Sequence, residues 1–542
     1  MLRDASVRVL AMCALGPPAL HLRQPPGANF CSVPVNAAPA FLRFATHAER
    51  PLKGDVTQGM PRKRMGDALH WPADGGGCMR IATRPAKETV GRGAAAALAL
   101  LLLCAGARAA DFPVTKYGAV PDGKTVDTAA IQRAIDAAAK VGRGTVVFAP
   151  GIYLTGALFL KTGVNLDVGK GAILRGVQVL SAYPEMWTRV AGIEMTWPAA
   201  LINVYRQSGV RIFGQGTIDG NGKIWWDKYW RMRRSYDKMG LRWAADYDCR
   251  RPRLIQIYKS SNVSLDGLRL ERSGFWTVHI CFSREVTVDG VTIRNNIGGR
   301  GPSTDGIDVD SSSHVLIEHA DISDNDDAIV LKSGRDADGL RVDRPTEDVV
   351  VRDSVVRDAA AGFTIGSETS GGIRNVKVEN ITVLAAVPKG IYFKSAKTRG
   401  GSIRNIVIRG MRMEGVAVPI AVDLNWNQSY SYAHLPPGVK NAPRYWKVLA
   451  EPVPLEKGLP HFQDIRISDV TATGARRAFA VRAYPDDFLR NFRFAHIRIQ
   501  AQTAGSIADG EDWTFVDTNI QAADGSHVAL TDCRGIHGLV GK

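Results

Sequence analysis

Two acidic clusters within residues 303–334 carry the chemistry that this sequence most clearly offers. Asp305 and Asp326, one from each cluster, are 21 residues apart, which is close to the period at which the surrounding sequence repeats. Paired carboxylates on neighbouring repeats suit acid/base cleavage of a glycosidic bond, where one protonates the leaving oxygen and the other activates water. Asp is also an ordinary turn residue. A doubled Asp ahead of an apolar strand nevertheless places like charges together at an energetic cost, which favours a function. The clusters comprise Asp305, Asp308 and Asp310, then Asp324, Asp326 and Asp327.

The elements that must position these acids are short strands of a repeating coil. An apolar-x-apolar-x-x-apolar-x-apolar motif occurs eight times, and Asn or Asp, which tolerate a left-handed corner, precedes it in six copies. Alternation on both sides of a two-residue bend indicates two arms of one coil, each sending side chains into a stacked interior. We therefore predict an all-β, single-stranded right-handed parallel β-helix of about ten coils. The six preceding residues are Asn262, Asp348, Asn375, Asn405, Asp464 and Asn491.

A short amphipathic helix is predicted ahead of the coil, beginning at Asp127 or Thr128. Its apolar residues Ile131, Ile135 and Ala138 lie at positions i, i+4 and i+7, on one face. Such a helix shields the unpaired strand edges at the open end of a solenoid. We expect it to cap the N-terminal end of the β-helix.

The first 109 residues are predicted to lie outside the fold. Residues 1–78 are rich in Pro, Arg and Ala without periodicity, and are interpreted as a non-native upstream extension or a leader. Residues 79–109 combine a basic segment, ten apolar residues and Ala-Arg-Ala, the pattern of a signal peptide. The apolar run is shorter than the ~20 residues that cross a bilayer, so no stable membrane association is expected. Residues 110–542 are predicted to form the β-helix domain of a periplasmic or secreted protein.

Charge and cysteine content restrict the partners. The formal net charge is +16, but residues 1–109 carry 14 of the 69 basic and 6 of the 53 acidic residues, which leaves +8 for the remainder. Without Lys/Arg runs this charge is weak evidence for nucleic acid and favours an acidic substrate. Cys249, Cys281 and Cys533 allow at most one disulfide and lack zinc-site spacing. We expect a monomer without cofactor or metal.

From about Phe112 to Ile499 the chain resembles glycoside hydrolase family 28, which contains polygalacturonases and rhamnogalacturonan hydrolases. The motifs that carry the resemblance include GTIDGNGKIWW, SGFWTVHI, STDGIDVDSS, DNDDAIVLKSG and GSETSGGIRNV. The resemblance implies inverting hydrolysis of a pectic polysaccharide or oligosaccharide. By position it implies that Asp326 is the general acid and that Asp305 and Asp327 bind and activate water. Negative neighbours would keep the acid protonated, and a separation of roughly 6.5–9.5 Å between acid and base would admit the water.

Two departures from the family pattern bear on the substrate. Ala361 stands where the polygalacturonases carry the His of Gly-His-Gly, and Tyr392 replaces the Arg of Arg-Ile-Lys, whereas Lys394 is retained. The resemblance implies that Lys394 contacts a substrate carboxylate, but Lys alone cannot reproduce the bidentate fork of Arg. We therefore predict that rhamnogalacturonan-type substrates are favoured over homogalacturonan, with Lys394 and Tyr392 binding substrate.

Further residues are predicted to line a sugar cleft. His279 and Glu368 would reach it from the coils below and above Asp305, although a core histidine and a turn brace are the alternative interpretations. Trp-rich residues 225–243 could stack on sugar rings or pack the insertion against the solenoid. Residues 423–438 could wall off a subsite, which would favour action at chain ends.

Three alternative functions stay open at this point. The first is a polygalacturonase that acts on homogalacturonan. The second is a calcium-dependent pectate-type lyase, because clustered carboxylates can also hold calcium. The third is a non-enzymatic adhesin, since parallel β-helices serve in binding as well as catalysis.

The proposed processing site predicts the start of the exported protein. If translation begins at Met79 and cleavage follows Ala109, mature protein from the native host begins at Ala110 or Asp111. N-terminal sequencing of the exported protein tests this. Finding residues 1–78 attached to it would contradict the prediction.

Overall fold

The computed structural model describes residues 110–539. The predicted upstream extension, residues 1–78, and the predicted signal peptide, residues 79–109, lie outside the described residues. No helix within 110–539 is both long and apolar enough to span a membrane.

Parallel strands dominate the described chain, and 31 of them belong to one sheet that winds into a right-handed β-helix. Two further strands, β8 and β9 below, pair as an antiparallel hairpin. In chain order the strands are β1 (Ala110–Pro113), β2 (Asp122–Val126), β3 (Gly144–Phe148), β4 (Gly151–Thr155), β5 (Leu158–Leu160), β6 (Val164–Val168), β7 (Ala172–Gly176), β8 (Glu185–Val190), β9 (Ile193–Pro198), β10 (Ile202–Tyr205), β11 (Ser208–Phe213), β12 (Thr217–Asp219), β13 (Ile255–Tyr258), β14 (Ser261–Asp266), β15 (Arg269–Glu271), β16 (Val278–Cys281), β17 (Arg284–Asp289), β18 (Thr292–Arg294), β19 (Ile307–Asp310), β20 (Ser313–Glu318), β21 (Asp321–Ser323), β22 (Asp327–Lys332), β23 (Thr346–Asp358), β24 (Ala361–Ile365), β25 (Ile373–Val383), β26 (Lys389–Lys394), β27 (Ser402–Glu414), β28 (Val418–Asp423), β29 (His461–Arg482), β30 (Leu489–Ala508), β31 (Gly510–Glu511), β32 (Thr514–Ala522) and β33 (Ala529–Thr531). The helices are α1 (Thr128–Lys140), α2 (Lys223–Lys238), α3 (Ala245–Asp248), α4 (Asp336–Val342), α5 (Gln428–Ser431), α6 (Arg444–Leu449) and α7 (Leu455–Gly458).

The strands stack in three columns rather than in the two arms predicted from the motif. Column A runs from β1 through β3, β6, β11, β14, β17, β20, β23, β25, β27, β29 and β30 to β32. Column B runs from β2 through β4, β7, β12, β15 and β18 to β21 and part of β23. Column C contains β5, β10, β13, β16, β19, β22, β24, β26 and β28, and continues into β29, β30 and β33. The motif covers columns A and B, so the sequence analysis missed the third strand of each coil. Column A has 13 strands, so the prediction of about ten coils was too low.

The predicted left-handed corners are confirmed. All six Asn and Asp residues that precede the motif have φ between 52° and 57°. Glu285 and His314 take the same conformation, with φ of 56° and 54°, in the two copies that lack Asn or Asp. Stacked corner side chains also bond to each other, since Asn405 Nδ2 donates to Asn375 Oδ1 at 2.8 Å. The geometry of the corner therefore holds even where the residue type is unfavourable.

The capping helix is confirmed as α1. It buries Ile131, Ile135 and Ala138, as the periodicity predicted, and packs against β1, β3 and β5. Asp127 does not cap the helix with its side chain; one of its carboxylate oxygens accepts the Val120 N–H at 2.8 Å instead.

The Trp-rich insertion mainly packs against the solenoid, which is one of the two interpretations considered for it. Trp225, Trp226 and Trp243 are buried, and Trp226 Nε1 donates to the Ser273 carbonyl oxygen at 2.7 Å. Trp243 also belongs to an apolar cluster with the β8–β9 hairpin. All three cysteines within residues 110–539 are free thiols.

A fully buried ion pair fastens the β8–β9 hairpin to column C. Arg189 Nη1 lies 2.8 Å from Asp310 Oδ1 and 2.7 Å from Ser311 Oγ, and its guanidinium lies 4.2 Å from the centre of the Phe282 ring. Both charged side chains are completely buried. Removing one partner would leave the other as an uncompensated charge in the interior.

We predict that Arg189→Met lowers the free energy of unfolding by about 3–5 kcal/mol, because Asp310 would stay buried without its cation. Arg284→Met is the control, since its pair with Glu285 is largely exposed and should be worth less than ~1 kcal/mol. Urea denaturation of both variants measures the difference. Equal stabilities of the two variants would contradict the prediction.

Candidate active site

The chemically active side chains gather along column C, at the ends of its strands and in the loops beside them. Gly306 N–H donates to the Asp327 carbonyl oxygen at 3.0 Å, which places Asp327 on the coil directly above Asp305. The spacing between these coils is one strand separation, about 4.8 Å. The acidic clusters therefore stack on one face, as the repeat predicted. The residues around this point are Asp305 before β19, Asp326 and Asp327 at the start of β22, Lys332 at its end, Glu368 after β24 and Lys394 at the end of β26.

Two lysines neutralise two of the three predicted catalytic carboxylates. Lys332 Nζ lies 3.0 Å from Asp305 Oδ2, and Lys394 Nζ lies 2.6 Å from Asp327 Oδ2. The other oxygen of Asp327 accepts the Thr364 hydroxyl at 3.0 Å. Among the described residues, Asp326 is the one member of this aspartate triad with no cation within salt-bridge distance. The charge pattern thus distinguishes Asp326 from its two neighbours.

Burial, followed by the charges of Asp305 and Asp327, raises the pKa of Asp326 to about 8. Asp326 therefore holds its proton at neutral pH, as a general acid must. Burial also raises the pKa of Asp305, although Lys332 opposes the shift.

The predicted separation of acid and base is wrong. One carboxylate oxygen of each of Asp305, Asp326 and Asp327 lies within 4.8 Å of the others, which is closer than the roughly 6.5–9.5 Å expected for an inverting pair. The acids begin strands on neighbouring coils and so cannot lie further apart in the stacking direction than the strand spacing allows. This separation therefore carries no argument for inversion.

Two lysines and one proton compensate the negative charges of the three aspartates better than a calcium ion would. Calcium takes six to eight oxygen ligands at about 2.3–2.6 Å. Here the ammonium groups of Lys332 and Lys394 already contact two of the three carboxylates, and Lys332 Nζ also lies 3.2 Å from Asp308 Oδ1. A divalent ion between the same oxygens would have to displace or repel both ammonium groups.

The triad opens into a small cavity of about 50 Å³. Lys332 Nζ lies 4.5 Å from the centre of the Trp276 ring, and Lys394 Nζ lies 4.4 Å from that of Trp426, so aromatic faces flank the cations. Trp426 and Tyr430 line the cavity, as expected for a wall built by residues 423–438. The cavity therefore combines acids, cations and aromatic rings, which suits an anionic sugar.

Sequence reasoning missed several cavity residues, among them Lys332, Arg242, Asp246 and Trp276. Lys332 had a usable signal, because it ends the six-residue strand β22 as Lys394 ends the six-residue strand β26. Arg242 and Asp246 lie in the insertion, outside the repeat, and pair with each other at 2.9 Å. No spacing in the sequence related these two residues to the acids.

The structure brings Lys394 and Glu368 into the cavity wall, where both were predicted. Glu368 Oε2 lies 3.7 Å from Lys332 Nζ, and its Oε1 accepts the Tyr430 hydroxyl at 3.2 Å. Burial raises the pKa of Glu368, but Lys332, Arg399 and Arg335 together hold it below its ordinary value. Glu368 is therefore an ionised hydrogen-bond acceptor.

Neither His279 nor Tyr392 lines the cavity, and the predicted contacts of both side chains with the substrate stay a prediction. His279 is fully buried one coil below Asp308, with Nε2 3.5 Å from Asp310 Oδ2, and burial lowers its pKa to about 3. Tyr392 packs against Ala361, Ala421 and Trp426. Neighbouring side chains cover both rings, so the outward direction of a strand residue did not guarantee access to the cleft.

A triad of aspartates on a parallel β-helix, beside cations and aromatic rings in one cavity, is the arrangement expected of a glycoside hydrolase that cleaves polysaccharides. The sequence profile of "Glycosyl hydrolases family 28" matches residues 186–440, and a profile described as "Rhamnogalacturonase A/epimerase, pectate lyase-like" matches residues 112–189. A "Probable polygalacturonase" of Vitis vinifera is 31% identical over 76% of this chain and 78% of its own length. The chain belongs to glycosyl hydrolase family 28.

Other relatives share lower identity. An "Exo-poly-alpha-D-galacturonosidase" of Dickeya chrysanthemi is 25% identical over 74% of this chain and 69% of its own. An exopolygalacturonase structure from Thermotoga maritima is 24% identical with a TM-score of 0.60, covering 79% of this chain and 92% of its own. A family 28 exopolygalacturonase structure from Yersinia enterocolitica is 22% identical with a TM-score of 0.65, covering 80% and 78%. The two structures establish the likeness of fold.

We predict that Asp326→Asn lowers turnover at least ~100-fold with binding retained, because an amide cannot protonate the leaving oxygen. In the unaltered enzyme, activity should fall as the pH rises through about 8, since Asp326 then loses its proton, and this limb should disappear in the variant. Asp305→Asn and Asp327→Asn should be as damaging, whereas Asp469→Asn, at an exposed corner, is the matched control. Full turnover in all three triad variants would disprove the assignment.

Proposed function

We propose that this enzyme removes terminal galacturonate units from pectic chains by hydrolysis. The observation that carries the proposal is the aspartate triad, set in a small cavity that Trp426 and Tyr430 help to line. The names of the Dickeya relative and of the Thermotoga and Yersinia structures, all of which describe exo-acting galacturonan hydrolases, support the same mode of action.

In the proposed reaction, Asp326 protonates the oxygen that leaves with the rest of the chain. Asp305 and Asp327 hold the attacking water and one of them accepts its proton, while Lys332 and Lys394 pair with the two carboxylates. Inversion at the anomeric carbon is proposed on the resemblance of the acidic motifs to those of the family. An uronate carboxylate would bind the cationic wall, where Lys394 and Arg242 both face the cavity.

The preference for rhamnogalacturonan-type substrates stays a prediction. It depended on Ala361 and Tyr392, and the burial of Tyr392 removes one half of its basis. Ala361 still favours it, since a methyl group stands in register above Asp327 and supplies no imidazole. Arg242 favours homogalacturonan as the substrate, because a cavity guanidinium can replace the arginine missing at position 392. We therefore propose galacturonate chain ends as the preferred substrate and rhamnogalacturonan-type chain ends as the second candidate.

The site of action is also a proposal. We propose that the enzyme acts in the periplasm or outside the cell as a monomer, because pectic polymers are extracellular and residues 79–109 have the pattern of a signal peptide.

Product analysis tests the proposed function. We expect polygalacturonate to release monomeric galacturonate from the first minutes, without a rapid loss of viscosity, with no unsaturated product, and with the same rate in excess chelator. Initial rates on rhamnogalacturonan oligosaccharides decide the preference, and the configuration of the first product in NMR decides between inversion and retention. Unsaturated, calcium-dependent products would indicate a lyase, and a mixture of long oligomers would refute exo-action.

A further inference from the structure

The geometry points to Glu368 as the residue that selects a chain end, by accepting a hydrogen bond from the hydroxyl that only the terminal sugar carries. In a longer chain the same oxygen is bonded to the next sugar and has no hydrogen to donate. This inference rests on the proposed exo-action and names the residue that enforces it.

Glu368 lies close enough to the triad to touch the sugar whose bond is cleaved. Lys332 Nζ is 3.0 Å from Asp305 Oδ2 on one side and 3.7 Å from Glu368 Oε2 on the other. The two carboxylates are thus separated by a single ammonium group, and both line the same cavity. A sugar that places its anomeric carbon beside Asp305 brings its far hydroxyls within reach of Glu368.

The surrounding structure fixes the Glu368 side chain. The turn of the β8–β9 hairpin approaches so closely that a Cβ on Gly192 would lie 2.8 Å from Glu368 Cγ. On the other side, the Tyr430 hydroxyl donates to Oε1 at 3.2 Å. The side chain is only 3% exposed. A group held in this way discriminates between ligands, because it cannot move aside for a misfit.

Two segments outside the repeat border the cavity beside Glu368. Ala191 of the hairpin turn and Tyr430 of the 423–438 wall both line the cavity. The hairpin approaches Glu368 at Gly192, and the Tyr430 hydroxyl donates to the Glu368 carboxylate. A second uronate there would face a wall and would bring its own carboxylate towards the ionised Glu368, which repels it.

A purely structural role for Glu368 makes a different prediction. Lys332 also contacts Asp305 and Asp308, so its charge stays compensated without Glu368. If Glu368 only braced the loop, its loss would lower activity towards every substrate by the same factor. If Glu368 selects the chain end, its loss changes the ratio of the kcat/KM values for two substrates that differ only at the terminal hydroxyl.

The test compares a galacturonate trisaccharide with the same trisaccharide methylated on that terminal oxygen. For the unaltered enzyme we expect kcat/KM to be at least ~10-fold lower on the methylated substrate, since an ionised buried acceptor would lose its donor. In Glu368→Ala the kcat/KM values for the two substrates should differ by less than ~3-fold, mainly because activity on the unmodified substrate is lost. Glu368→Gln, which keeps the shape, should give an intermediate ratio. Glu347→Gln, on the outer face of β23, is the matched control and should keep the ratio of the unaltered enzyme.

Two results would overturn the inference. The first is that the unaltered enzyme has the same kcat/KM on both trisaccharides. The second is that Glu368→Ala lowers kcat/KM on both trisaccharides by the same factor. The first needs no variant, so it decides the question even if Glu368→Ala does not fold. If the unaltered enzyme releases galacturonate from neither trisaccharide, the proposed function itself fails and the inference falls with it. If the enzyme releases galacturonate from both trisaccharides at the same rate, the inference about Glu368 fails and the proposed function stands.

Discussion

The mutual repulsion of three neighbouring carboxylates, two of them buried and Asp326 partly buried, is the constraint on which the rest of this site depends. Asp305, Asp326 and Asp327 bring oxygens within 4.8 Å of one another, and such a group is stable only if its charge is reduced or compensated. Lys332 and Lys394 compensate two of the charges, and a proton on Asp326 removes the third. The pairing that stabilises the cluster also distinguishes Asp326 from Asp305 and Asp327, because the carboxyl group without a cation is the one that keeps its proton.

The β-helix supplies this arrangement through stacking. Successive coils place equivalent positions one strand spacing apart, so a residue type repeated at one point of the coil becomes a column of side chains. Lys332 and Lys394 end strands of column C two coils apart, and the triad lies at the start of strands in the same column. Catalytic groups on a stacked sheet are held by the backbone hydrogen bonds of the whole column. The precision of the site therefore comes from the solenoid and not from its loops.

The additions to the solenoid determine what reaches the triad. The β8–β9 hairpin, the insertion with α2 and α3, and residues 423–438 each supply a side chain to the cavity wall, as Ala191, Arg242 and Tyr430 show. Arg189, paired with Asp310 beneath the site, connects the hairpin to the same column. These segments lie outside the repeat, so they can vary without disturbing the coils. The parts of the chain that complete the cavity wall are thus parts that the repeat itself does not require.

The sequence by itself determined the parallel β-helix, its capping helix, its left-handed corners and the positions of the three aspartates, because each depends on local alternation, residue type and a repeating spacing. It also identified Lys394 and Glu368 as cavity residues. Tertiary structure decided which outward side chains stay accessible: Tyr392 packs against Ala361 and Ala421, and His279 lies against Asp310 of the next coil. It also brought Arg242 to the cavity and set the short distances within the triad. Burial and electrostatic pairing are sums over residues from many coils and insertions, and no local pattern in the sequence records them.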